Sequence, residues 1–258
     1  MKKLQTLTIR SALVFGVGLG VILGFCGPLA ALPRSNEVGV SEVIGTSGQG
    51  RAIVATRYGS KLANTRVVVV GQMHGNERAG RRVTSEIARR LGSGNELPAD
   101  SAIWLISSIN PDGAAANTRA TASGVDLNRN FPAAWLQQGR GGSRWSGPSA
   151  GSEPESEAVM AFLERTDPTA LLSFHQPFAV VDLTHPASRP AGRRLANWLG
   201  LPAEVVGCPG PCHGTMTGWV DGKLGAIALT VELPKLVTSE RVARSATAVL
   251  RLTKWLAR

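Results

Sequence analysis

Four short apolar runs, spaced by stretches with helical periodicity, organise the chain. Arg66 to Gly71, built on Val67-Val68-Val69-Val70, reads as a short buried strand, and Ser101 to Ser108, Thr169 to Phe174 and Ala226 to Leu233 read as strands too. Arg78 to Leu91 carries Val83, Ile87 and Leu91 at helical spacing, and Arg189 to Leu199 and the amphipathic Ser239 to Leu256 are also read as helices. A further helix starts at Glu153-Pro154-Glu155, with acids in the first turn where the helix dipole favours them, and runs to about Arg165. Strands alternating with helices predict an α/β fold: a single domain whose mixed, mostly parallel twisted sheet has helices on both faces. Asn110-Pro111-Asp112-Gly113 is a turn signal, and the glycine-rich stretch from Ala133 to Gly151 reads as loop. Residues 32–50, polar and rich in Gly and Ser, read as a linker into a domain spanning 51–258.

The amino terminus changes this picture. Lys2, Lys3 and Arg10 precede an uncharged apolar stretch from Ser11 to Leu32, the pattern of a secretory signal peptide cut near Ala30 or Ala31. The stretch is also long enough to serve as an uncleaved membrane anchor. Either reading puts the protein outside the cytoplasm, periplasmic or secreted, or anchored to the inner membrane and facing the periplasm. Phe25 stands where a small residue is expected before a lipidated cysteine, which argues against lipidation of Cys26. The formal charge of +10 falls to +7 without residues 1–31, since three cations and no acids leave with them. The remaining arginines are scattered and lack interleaved aromatics, so no specific nucleic-acid partner is expected. The basic balance suits an acidic polymer or a membrane surface. Oligomeric state is not legible. Cys208-Pro-Gly-Pro-Cys212 is the one close cysteine pair; outside the cytoplasm it is permitted to form a disulfide, with two free thiols or a Cys/Cys/His213 metal site as the alternatives.

The candidate chemistry lies at the strand ends. His74 and Glu77 follow the valine run, and His175 ends the strand from Thr169, so the three can form a zinc site that leaves a fourth position for water. Glu232 sits near the end of an otherwise apolar strand, where a buried carboxylate is costly without a purpose. Beside a metal it can accept a proton from water and pass it to a leaving nitrogen; the alternative is a structural ion pair with an arginine. In Asp126-Leu-Asn128-Arg129-Asn130, Arg129 can grip a carboxylate in bidentate fashion and Asn128 can add a donor. Arg119 can face the oxygen that gains charge during attack. His185 and His213 are read as local hydrogen-bonders.

Taken in order, His74-x-x-Glu77, Asn110-Pro-Asp-Gly113, Arg119, Asp126-x-Asn128-Arg129-Asn130, Ser173-x-His175 and the late Glu232 resemble the M14 (carboxypeptidase A-like) zinc carboxypeptidases over residues 50–256. The resemblance implies one zinc ion on His74, Glu77 and His175, Glu232 as general base and acid, Arg119 polarising the scissile carbonyl, and Asn128 with Arg129 holding a terminal carboxylate. Ser146-Gly-Pro, Ser152-Glu-Pro-Glu155 and Ser173-Phe-His175-Gln-Pro177 are most similar to the bacterial murein peptide amidases of that family, which cleave between γ-D-glutamate and meso-diaminopimelate in cell-wall peptides. A murein peptide is then the expected partner, and Asp182 or Asp221 are candidates to meet the diaminopimelate ammonium. The rival is a general carboxypeptidase acting on L-peptides or modified tails; a non-catalytic binder of wall peptide is a further class. One departure stands out: digestive-type members have a mobile tyrosine before the last catalytic strand, whereas the only tyrosine here is Tyr58.

Overall fold

A computed structural model describes residues 39–94, 97–206 and 212–258. In chain order the elements are β1 (Val40–Thr46), β2 (Ala52–Gly59), β3 (Thr65–Val70), α1 (Ala79–Gly92), β4 (Ser101–Ile106), α2 (Pro111–Ala116), α3 (Pro154–Thr166), β5 (Ala170–His175), β6 (Phe178–Asp182), α4 (Arg189–Leu199), β7 (Ala203–Glu204), α5 (Met216–Trp219), β8 (Ile227–Pro234) and α6 (Ser239–Leu256). The strands form one sheet in the order β1-β2-β4-β3-β5-β8-β6-β7. Its centre, β4-β3-β5-β8, is parallel throughout, and antiparallel pairs flank it on both sides.

The valine run shows why the central strands read as unbroken apolar segments. Side chains alternate across a strand, so Val67 and Val69 enter a core shared with α1, α4 and α6, while Val68 and Val70 enter a second core with α3, Leu127, Phe131 and Trp219. Helices therefore lie on both faces, as expected, and a strand buried on both sides has no polar face to show.

Two expectations need correction. Part of the segment read as linker, 32–50, is strand β1, paired antiparallel to β2. Its only buried residue is Ile44, so it presents no apolar run. The turn read at Asn110–Gly113 instead opens α2: Asn110 caps it, its side-chain oxygen accepting from Gly113 N–H at 2.8 Å. The expected signal or anchor segment, 1–31, and Cys208 of the expected disulfide lie outside the described residues. Among the described residues no helix is long and apolar enough to cross a membrane.

Candidate metal centre and cleft

The sheet order fixes where chemistry can sit. β3 has β4 on one side and β5 on the other, so connections leave in opposite directions and open a crevice beyond the carboxyl ends of β3 and β5. The chain leaving β3 turns at once, Glu77 N–H donating to His74 O at 3.0 Å, which brings both side chains over that crevice. The turn is compact because Gly75 rests on the start of α2: a Cβ there would lie 1.9 Å from the Gly113 carbonyl carbon. Two motifs distant in sequence thus meet backbone to backbone.

His74, Glu77 and His175 converge, their ligand atoms all within 4.8 Å of one another. Nδ1 of His74 lies 2.8 Å from Glu77 Oε1, Nδ1 of His175 lies 3.1 Å from Glu77 Oε2, and the two Nδ1 atoms are 3.2 Å apart. Two imidazole nitrogens and a carboxylate gathered this closely, all buried, make a site that favours a cation between them. That donor set, two histidines and a glutamate, is one that zinc takes in hydrolases, and the residues fit the ion. The outer nitrogens are held as well: His74 Nε2 lies 3.1 Å from Asp126 Oδ1, and His175 Nε2 lies 3.0 Å from Ser173 Oγ. Such supports set ring orientation and ligand basicity.

Charge is balanced tightly around this centre. Burial raises the Glu77 carboxyl, but the hydrogen bonds from His175 and His74 outweigh it and hold the group well below the usual carboxylate range. Asp126, fully buried, follows the same pattern: desolvation opposes ionisation, while His74, then Arg119 and Arg129, more than compensate. Arg119 donates to Asp126 Oδ2 from Nε at 3.0 Å and Nη2 at 2.9 Å, and its Nη1 reaches Glu77 Oε1 at 3.2 Å. Glu232 is paired with His175 in the register of β5 and β8. Burial pushes its carboxyl up, and Oε2 is a buried oxygen with no hydrogen-bond partner.

A cleft of about 1140 Å³ opens over these groups. His74, Glu77, His175, Glu232, Arg119, Asn128 and Arg129, the full set of metal, catalytic and carboxylate-binding candidates, line it together. Asn128 Oδ1 accepts from Met216 N–H at 3.2 Å, which leaves its amide NH₂ to face the cleft. Gly214, at φ 60°, packs against the Arg129 backbone, where a Cβ would lie 2.1 Å from its carbonyl oxygen. Asp182 and His185 also line the cleft, whereas Asp221 stands behind His185 with its Oδ2 3.3 Å from Nδ1. His213 Nδ1 lies 2.9 Å from Ala134 O, a local contact as expected. Tyr58 pairs with Ile103 between β2 and β4 and does not line the cleft; nor do Trp135, Trp145 and Trp219. Cys212 does.

Sequence reasoning missed two things. Asp126 was legible only as part of a polar motif, although an acid between Val125 and Leu127, in a stretch otherwise suited to burial, signals a paired carboxylate. Arg144, on the cleft rim, carries no signal in its glycine-rich surroundings.

Residues 34–190 match the family model described as zinc carboxypeptidase. Among characterised proteins, murein peptide amidase A of Escherichia coli (strain K12) is 34% identical over 160 residues, 57% of this chain and 64% of that enzyme, so the match spans just under two thirds of the relative's length. Murein peptide amidase A of Vibrio campbellii is 31% identical over 194 residues, covering 65% of this chain and 73% of the relative. The crystal structure of murein-tripeptide amidase from Escherichia coli O157 superposes with a TM-score of 0.64 at 26% identity, covering 87% of this chain and 97% of that one.

Proposed function

The chain belongs to the zinc carboxypeptidase family, and from that premise we propose that it is a zinc-dependent hydrolase of an amide bond next to a free carboxylate in cell-wall peptides. The bond is that between γ-D-glutamate and meso-diaminopimelate. The observation that carries the reading is the placement of Glu232, with an unpartnered buried oxygen, beside the His74, Glu77 and His175 cluster. The names of the Escherichia coli and Vibrio campbellii relatives support a wall-peptide substrate.

His74, Glu77 and His175 would hold the zinc ion, which would supply the Lewis acidity that lowers the pKa of a water and polarises a carbonyl. Glu232 takes the proton from the attacking water and returns it to the departing amine, so one carboxyl serves as base and then as acid. Arg119, fixed by two hydrogen bonds to Asp126, presents its remaining N–H groups to the carbonyl oxygen as negative charge develops there. Asn128 and Arg129 hold the substrate carboxylate and thereby select the bond beside the chain terminus. The reading fits a periplasmic or secreted enzyme whose residues 1–31 serve as export signal or anchor.

The test is zinc-dependent release of meso-diaminopimelate from L-Ala-γ-D-Glu-meso-diaminopimelate, run beside an L-linked dipeptide and a Glu232→Gln variant. Release confined to the wall peptide and abolished in the variant is expected. Turnover of the L-linked control alone would instead make the protein a general carboxypeptidase, and a zinc-loaded protein inert on both would remove the hydrolytic reading.

A further inference from the structure

The net charge of the chain is concentrated on one layer of helices. α1, α4 and α6 share a core with one face of the sheet, through Val83, Leu195 and Val249 among others, and α6 lies between the other two, packed on both. Together the three helices hold eleven Arg and Lys against two Glu, a formal +9, where the whole chain carries +10. α3, which packs on the opposite face of the sheet, holds three Glu and one Arg, a formal −2. The domain is thus strongly polarised across its sheet.

The fold uses few of these cations. Arg90 donates to Thr247 Oγ1 at 2.8 Å and to Ala243 O at 3.1 Å across the seam between α1 and α6, and Arg241 donates to Leu199 O at the end of α4. These two serve the layer itself. On α6, Arg244, Arg251 and Lys254 follow one another at seven and three residues, a spacing that keeps to one helix face. All three are exposed, while Val242, Val249 and Leu252 of the same helix fill the core. Arg81 on α1 and Arg193 on α4 are exposed as well. The side chains of Arg81, Arg193, Arg251 and Lys254 make no hydrogen bond or ion pair among the described residues. A field of one sign repels itself, and an anionic partner relieves that repulsion.

Shape selects the partner. Three helices side by side, their axes roughly 8–10 Å apart, make a layer roughly 30 Å wide, and α6 runs along it for about 27 Å. A linear polyanion is held in a groove that tracks its backbone; a broad layer matches a surface. Arg194 stacks on Trp255, its Cζ 4.9 Å from the ring centroid, and Trp198 and Leu256 are half-buried against the same core. Tryptophan is enriched where a membrane meets water. We propose that the layer of α1, α6 and α4 is a docking face for an anionic phospholipid bilayer. Leu229, Val231 and Leu233 enter the core beneath this layer, so Thr230 and Glu232, which line the cleft, project from the other face of the sheet. The protein rests on the membrane with its cleft open to substrate, whichever bond the cleft cleaves.

The test is co-sedimentation of the full-length protein with vesicles of phosphatidylcholine, alone or mixed with phosphatidylglycerol, at low and at high salt. Wild type is compared with a face variant, Arg81→Gln, Arg193→Gln, Arg251→Gln and Lys254→Gln together, and with a control that loses as many cations elsewhere, Lys61→Gln, Arg140→Gln, Arg165→Gln and Lys223→Gln. All eight side chains are exposed, so both variants should melt within a few degrees of wild type, and the amino-terminal residues, common to all three proteins, cancel. Wild type and control should bind the anionic vesicles at least tenfold more tightly than the face variant at low salt, and the gap should close at high salt. Equal binding by the control and the face variant would reduce the effect to net charge and overturn the assignment. Wild-type binding to neutral vesicles as tight as to anionic ones would overturn it too. Tighter binding of soluble polyphosphate than of anionic vesicles would make the face a site for linear polyanions instead.

Discussion

Asp126 divides its two oxygens between His74 and Arg119: Oδ1 faces His74 Nε2 at 3.1 Å, while Oδ2 receives both Nε and Nη2 of Arg119. A single buried carboxylate thus orients one histidine of the metal centre and the arginine proposed to meet the carbonyl. Asp126→Asn keeps an acceptor for His74 but turns an NH₂ toward the guanidinium. Zinc affinity should fall roughly 10- to 100-fold, as for other outer-shell partners, and kcat should remain low even when zinc is saturating, because Arg119 has lost its anchor. Competition with a chelator, followed by kinetics in excess zinc, checks both halves; wild-type kcat restored by zinc alone would limit Asp126 to the metal.

Asn128 offers a cleaner separation of binding from folding. Its Oδ1 is occupied by Met216 N–H, and Asp in its place would retain that acceptor while exchanging the amide NH₂ for a charged oxygen. Asn128→Asp should therefore leave the melting temperature within a few degrees of wild type. KM should rise at least tenfold for substrates with a free carboxylate, and much less for the same peptides with that carboxylate amidated. A KM that rises equally for both would show that Asn128 does not face the carboxylate.

Two acids outside the metal-ligand cluster predict opposite pH trends. Asp112 accepts from Ser47 Oγ at 2.7 Å, Arg51 Nη1 at 2.6 Å and Gln49 N–H at 2.9 Å. Burial opposes its ionisation, but these bonds outweigh it and depress its pKa. Its contribution is present above the unfolded carboxylate range and is lost as pH falls through the depressed folded value. Glu155 is raised chiefly by burial, with one hydrogen bond from Gly48 N–H pulling the other way. Its contribution is greatest below the unfolded range and declines as pH rises through the folded value. Asp112→Asn should cost about 1–3 kcal/mol at neutral pH and less at pH 3, whereas the cost of Glu155→Gln should shrink as pH increases. Urea unfolding of the three proteins across that range decides it; parallel trends would contradict the assignment.

Gly75→Ala would place a Cβ 1.9 Å from Gly113. Backbone cannot give way as a flexible side chain does, so the His74–Glu77 turn must lift away from α2. A loss of about 1–3 kcal/mol in stability, typical of overpacking, should come with weakened zinc binding, read by calorimetry. A variant of normal stability and metal affinity would show that the turn relaxes freely.

What the chain discloses before folding follows from burial. β3, β4, β5 and β8 are covered on both faces and appear as unbroken apolar runs, and the groups at their ends, His74, His175 and Glu232, can be picked out as polar residues stranded beside them. β1 and β2 stand at one edge, where Val43 and Val54 are exposed and only alternate residues of β2 turn inward. β6 has five residues and β7 two, too short for a periodic signal. The support given to His74 by Asp126, 52 residues away, is tertiary and has no local trace.

His74 and His175 are 101 residues apart in the chain yet meet across the β3/β5 pair. An unfolded chain offers His74 and Glu77 as a weak two-point grip, and the third ligand arrives only when β5 has docked on β3. Capture of the ion is thus a late event that reports completed assembly. A hydrolase built this way gains its reactive power only after the sheet has closed around the three ligands.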